Sequence, residues 1–229
     1  MRMSTSALTA DRRHVLQRRI RWIVAVTIGY NLVEAVVAIA AGSAASSRAL
    51  IAFGLDSTIE VLSAAAVAWQ FTRRDPAQWE KPTLRVIAIA FFALAAYVIT
   101  TSLLALFARI EPQHSTLGIV LTAVSVVVMP FLSLAERRTG REVGSASAVS
   151  DSKQTLICTY LSGAVLIGLV LNTALGWWWA DAVAGLVIAG FAIREGIEAW
   201  RGDACATSVG MILEDEQDDA HHVRETPPV

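Results

Sequence analysis

The chain has 229 residues, of which 55% are hydrophobic and 17% charged, with a formal net charge of −1 and a mean hydropathy of +0.52. This is too apolar for a soluble domain of its size and indicates an integral membrane protein. The near-zero charge offers no support for a nucleic-acid partner. No nucleotide-binding motif and no nucleophile–base pair can be read, so an enzyme is not expected.

In chain order, residues 1–20 form a basic segment without the apolar core and small-residue cleavage site of a signal peptide; the expectation is a retained cytoplasmic tail. Apolar runs of bilayer length follow at 21–42, 48–71, 85–108, 116–135, 149–171 and 179–200. The expected fold is therefore all-α: six transmembrane helices forming one domain over 21–201. Pro130 should kink the fourth span, as membrane helices tolerate. Gly185 and Ala189 give the sixth a small-residue packing face. Residues 202–229 are polar and acidic and read as a disordered tail.

Seventeen of the 19 Lys and Arg residues fall in segments 1–21, 72–85, 136–153 and 194–229; only Arg48 and Arg109 lie on the other side. The positive-inside rule then places both termini in the cytoplasm. Trp22, Trp69 and Trp200 mark the inner interface, and Trp177, Trp178 and Trp179 the outer one. Cys158 and Cys205 are too differently placed for a disulfide framework.

The chemistry should reside in the polar residues at membrane depth. An acidic residue at the centre of a spanning helix costs about 2.5–3.5 kcal/mol on the translocon scale. The second span carries two, Asp56 and Glu60, four apart on one helical face. Such a pair suits a divalent cation, protons, or an exchange of the two. The first span contains Asn31 and Glu34 on one face. The fifth begins with Asp151, Gln154 and Cys158 at i, i+3, i+7, and Asp181 opens the sixth. With a rise of 1.5 Å per residue, Glu60 lies roughly 16 Å and Cys158 roughly 13 Å from the inner ends of their spans, and Asp56 and Glu34 roughly 20 Å. The expectation is a shared layer near the bilayer midplane, with Asp151 nearer the cytoplasm and Asp181 nearer the outside. Plainer roles exist for each: interhelical hydrogen bonding for Asp56, Glu60, Glu34, Asn31 and Gln154, an N-cap for Asp151, a small buried filler for Cys158, and an interfacial position for Asp181.

Six spans, cytoplasmic termini and the DSTIE sequence at 56–60 resemble the cation diffusion facilitators, whose second span carries Asp or His, three residues, then Asp. The segments SDSKQTLICTYLSGAVLIG and WADAVAGLVIAGFAIREG are similar to that family's fifth and sixth spans. The resemblance implies a proton-coupled exporter of Zn²⁺ or a related divalent metal, a homodimer, and a bacterial inner membrane. The chain departs from the pattern at Glu60, which replaces Asp, and at Gln154 and Cys158, which stand where the fifth span usually offers His or Asp and then Asp. Its last 28 residues are too short for the family's folded cytosolic domain.

The resemblance makes Asp56, Glu60 and Cys158 the expected ligands, joined by Glu34. Asp151 would serve the cytoplasmic entrance and Asp181 the outer exit. Sulfur among the donors favours Zn²⁺, Co²⁺ or Cd²⁺ over Mg²⁺ as the transported ion, and no prosthetic group is implied. Two other readings remain: proton-driven export of an organic cation, with tryptophans as cation–π partners, and a membrane metal sensor or assembly protein that does not transport.

Overall fold

The computed structural model describes residues 10–71, 76–143 and 146–201; residues 1–9 and the tail 202–229 lie outside it. Six helices account for the regular structure of the described residues: α1 (Ala10–Ala45), α2 (Arg48–Phe71), α3 (Pro76–Ala108), α4 (Thr116–Val143), α5 (Ala146–Leu175) and α6 (Trp178–Arg201). The first five are long and apolar enough to cross a membrane. α6 falls short of that apolarity because it carries Asp181, Arg194, Glu195, Glu198 and Arg201.

The helices outrun the apolar runs, chiefly at the end assigned to the cytoplasm. α1 begins at Ala10 within the basic segment, α3 begins at Pro76, and α4 continues to Val143 through ERRTGREV. The polar extensions are rich in Arg, Gln, Glu and Lys, whose unbranched side chains keep helix propensity high after hydrophobicity ends. α4 also runs unbroken through Pro130.

α2 is the central helix. It packs against α1, α3 and α6, and more thinly against α5, while the strongest pairings elsewhere are α4 with α5 and α3 with α6. Two glycines bring α1 and α2 into backbone contact. A Cβ at Gly42 would lie 2.8 Å from the Ile51 nitrogen, and one at Gly54 would lie 2.9 Å from the Ile39 nitrogen and 3.0 Å from the Ala35 oxygen. Lipid tails are as apolar as leucine, so close backbone approach of this kind is what binds membrane helices to one another. The small-residue face of α6 is also used: Gly185 and Ala189 are buried, and a Cβ at Gly185 would meet the Ser102 hydroxyl of α3 at 2.8 Å. At the ends assigned to the cytoplasm, Trp69 of α2 and Trp79 of α3 meet edge to face at 5.3 Å, and Arg85 lies over the Trp200 ring.

Backbone cannot yield as a side chain can, so Gly42→Ala or Gly54→Ala should each cost about 1–3 kcal/mol. At Gly29 and Gly190 an added Cβ would meet nothing within 4 Å, and both should accept alanine with no loss. Thermal unfolding of the four variants in detergent checks the contrast.

Candidate cation site

Asp56 and Glu60 lie one turn apart on α2; Asp56 is buried and Glu60 half-buried. Glu60 is held from two sides. Asn31 of α1 donates through Nδ2 to Oε2 at 2.8 Å, and Cys158 of α5 donates through Sγ to Oε1 at 2.8 Å. Four of the sequence-derived candidates thus occupy one region, with Asn31, Glu60 and Cys158 in direct contact across three helices. The fields of Glu60, Asp56 and Glu34 all reach Cys158, and that of Glu34 reaches Asp56.

Glu34 has its own cradle. It is 2% exposed and accepts hydrogen bonds from Ser57 of α2, at 2.9 Å, and from Ser125 of α4. Ser125 in turn meets the Tyr30 hydroxyl at 2.7 Å. Ser57 and Ser125 are also within reach of the carbonyls one turn back, Phe53 and Leu121. Their hydroxyls therefore have an alternative acceptor whenever the carboxyl group changes its own bonding. These hydroxyls are not among the sequence-derived candidates: serine within an apolar run is common, and its partner lies on another helix.

Asp181 sits at the N-terminal end of α2. α1 ends in a Schellman-like turn, with Ser46 at φ 54° and the Ser47 nitrogen donating to the Gly42 carbonyl at 3.0 Å. α2 starts immediately afterwards, which exposes its first N–H groups. Asp181 Oδ2 accepts from the nitrogens of Arg48 at 2.7 Å and Ala49 at 3.4 Å, while Oδ1 accepts from the Ser47 hydroxyl at 2.5 Å. Ser47 Oγ accepts from the Leu50 nitrogen at 3.1 Å. One carboxylate thus faces the N-terminus of α2 while belonging to the first turn of α6, so it lies where both helix dipoles favour negative charge. Nearby, the Gln113 nitrogen donates to the Ala45 carbonyl at 2.7 Å and Asn172 Nδ2 to the Pro112 carbonyl at 3.0 Å. The three connections at this end of the bundle are therefore tied together.

Asp151 and Gln154 belong to α5, but their side chains lie outside the described residues. Glu195 of α6 is not among the sequence-derived candidates. It is half-buried, and its field reaches Asp56. Its neighbours Arg194 and Glu198 pair with each other at 2.8 Å on the exposed face. In the sequence Glu195 falls within the charged inner flank of the sixth span, which masks it. Among the described residues no three His, Cys, Asp or Glu side chains converge closely enough to hold a metal ion.

Long apolar helices packed around a layer of buried carboxylates define an integral, multi-pass helical membrane protein. A model of the cation efflux transmembrane domain matches residues 84–201, just over half of the chain. The chain belongs to the cation efflux family. The cation-efflux pump FieF of Shewanella oneidensis is 32% identical over 108 residues, which cover 44% of this chain and 36% of that protein. The matched domain takes in α4, α5, α6 and most of α3, and with them Cys158, Asp181 and Glu195. Asp56 and Glu60 on α2 lie before it.

A cap worth about 0.5–2 kcal/mol should disappear in Asp181→Ala. Asp181→Asn keeps an acceptor oxygen and should retain most of it. The midpoints of thermal unfolding in detergent distinguish the two variants.

Proposed function

We propose that the chain is a divalent-cation efflux transporter whose cation binds between α2 and α5, on Asp56, Glu60 and Cys158, in exchange for protons. The observation that carries this reading is the contact of Cys158 Sγ with Glu60 Oε1 at 2.8 Å. It pairs a thiol with a carboxylate across two helices at membrane depth. Tetrahedral Zn²⁺, with Zn–S of about 2.3 Å and Zn–O of about 2.0 Å, separates sulfur and oxygen by roughly 3.5 Å. A parting of under ~1 Å admits the ion.

The proton bookkeeping follows from the same atoms. The thiol proton that now bridges sulfur and oxygen must leave before the thiolate binds metal, so loading releases a proton and a returning proton displaces the metal. Asp56, one turn away, supplies a second carboxylate. Glu34, whose oxygens are already engaged by Ser57 and Ser125, stands beside the site. Asp151 is assigned to the cytoplasmic approach and Asp181 to the outer end. Sulfur among the donors favours Zn²⁺, Co²⁺ or Cd²⁺ over Mg²⁺. By family analogy the transporter is a homodimer in a bacterial inner membrane.

In inverted vesicles carrying an internal pH dye, the wild type should take up Zn²⁺ with proton movement in the opposite direction. Asp56→Asn combined with Glu60→Gln should reduce that uptake at least about tenfold. Undiminished uptake by the double variant would remove these residues from the site, and metal binding without any flux would favour a sensor over a carrier.

A further inference from the structure

We infer that Asn31 is a selectivity-determining residue of the cation site, with its amide carbonyl oxygen as a donor to the ion. The inference rests on the cation reading of Asp56, Glu60 and Cys158.

Asn31 is 7% exposed. Its Nδ2 donates to Glu60 Oε2 at 2.8 Å. An ionised carboxylate only accepts hydrogen bonds, so with Glu60 ionised the amide nitrogen faces it. Oδ1 is then the other end of a rigid planar group. It lies about 2.3 Å from Nδ2, and hence within about 5 Å of the Glu60 oxygen. That amide oxygen is buried and has no hydrogen-bond partner among the described residues. A buried acceptor left unpaired is a standing cost to the fold, and such groups are rare unless something else uses them.

Glu60 is the hinge of the arrangement. One of its oxygens receives the thiol of α5 and the other the amide of α1. A cation drawn to the Glu60–Cys158 pair therefore shares its carboxylate with the Asn31 amide. Asp56, Glu60 and Cys158 do not by themselves converge into a three-ligand cluster among the described residues; an amide carbonyl lies outside the four residue types of such a cluster and adds a further donor from α1. It is neutral, so it adds an oxygen without burying another negative charge. It is also hard. Carbonyl and carboxylate oxygens suit Mn²⁺, whereas thiolate suits Cd²⁺ and Zn²⁺. The site should consequently hold an oxygen-preferring ion better than its cysteine alone would suggest, and Asn31 should set that balance.

Binding of Mn²⁺ and of Cd²⁺ to the purified full chain, each titrated calorimetrically, tests the assignment. Asn31→Leu keeps the branched shape and removes both polar ends of the side chain. It should weaken Mn²⁺ about tenfold or more and Cd²⁺ less than about threefold. Equal weakening of the two ions would mean that Asn31 merely positions Glu60, and no weakening would mean that it does neither; both results overturn the proposal. Asn31→Asp restores an oxygen donor without the amide N–H. It should raise the Mn²⁺ to Cd²⁺ affinity ratio to the wild-type value or above, and a fall in that ratio would overturn the proposal even if the leucine variant fails to fold. A wild type that binds neither ion would instead overturn the cation site itself.

Discussion

A carboxylate carried into the apolar interior of a membrane protein needs donors, and its own helix has none left to give, because each backbone N–H is already committed to the helical ladder. The donors must come from another helix. Glu34 on α1 takes hydroxyls from α2 and α4, Glu60 on α2 takes an amide from α1 and a thiol from α5, and Asp181 on α6 takes the opening N–H groups of α2. Every one of these arrangements includes α2. Apolar packing alone fixes the rotation of a membrane helix weakly, since leucine meets lipid as readily as it meets leucine. Each interhelical hydrogen bond contributes only about 0.6–2 kcal/mol, yet together they fix which face of α2 is turned to each neighbour. The close approach at Gly42 and Gly54 then sets how near α1 can come.

The two ends of the bundle are built differently. At one end the reversals are short, and Asp181, Asn172 and the Gln113 backbone bind the three connections to one another. Depth along the sequence suggests an exit role for Asp181. Its oxygens are committed to the start of α2, so any contact with a passing ion has to compete with three donors. The same geometry makes α2 and α6 partners at that end, and it is α6 that brings Glu195 to within electrostatic reach of Asp56.

Much of the architecture is legible in the sequence because span length and apolarity report directly on the bilayer. The six runs correspond to the six helices, and Glu34 lies within electrostatic reach of Asp56. The helix ends are less legible: hydrophobicity stops at the membrane, but helix propensity does not, so α1, α3 and α4 continue through Arg- and Glu-containing segments. Partnerships are the least legible. Depth along a helix follows from counting residues, whereas the direction a residue faces depends on neighbours far away in the chain. That is why Cys158 can be placed level with Glu60 by counting but not in contact with it, and why Ser57, Ser125 and Glu195 give no signal of their own. The structure makes Asn31 an interhelical hydrogen-bond donor, one of the roles its sequence allows, and leaves its other polar end without a partner among the described residues.

The location of Glu60 and Cys158 matters as much as their identity. α2 and α5 meet in a thin interface, while each has a much closer partner, α1 for the one and α4 for the other. A thin interface between two well-packed pairs is where relative movement disrupts least packing. A hydrogen bond from thiol to carboxylate holds such an interface weakly; the proposed divalent cation, bridging thiolate and carboxylate, would hold it far more firmly, because two negative groups would then share one doubly charged ion in a medium of low dielectric. Occupancy of the site and the fit of α2 against α5 are therefore linked. Whatever binds there biases how the two helix pairs sit together, and a rearrangement of those pairs changes the affinity of the site by the same factor.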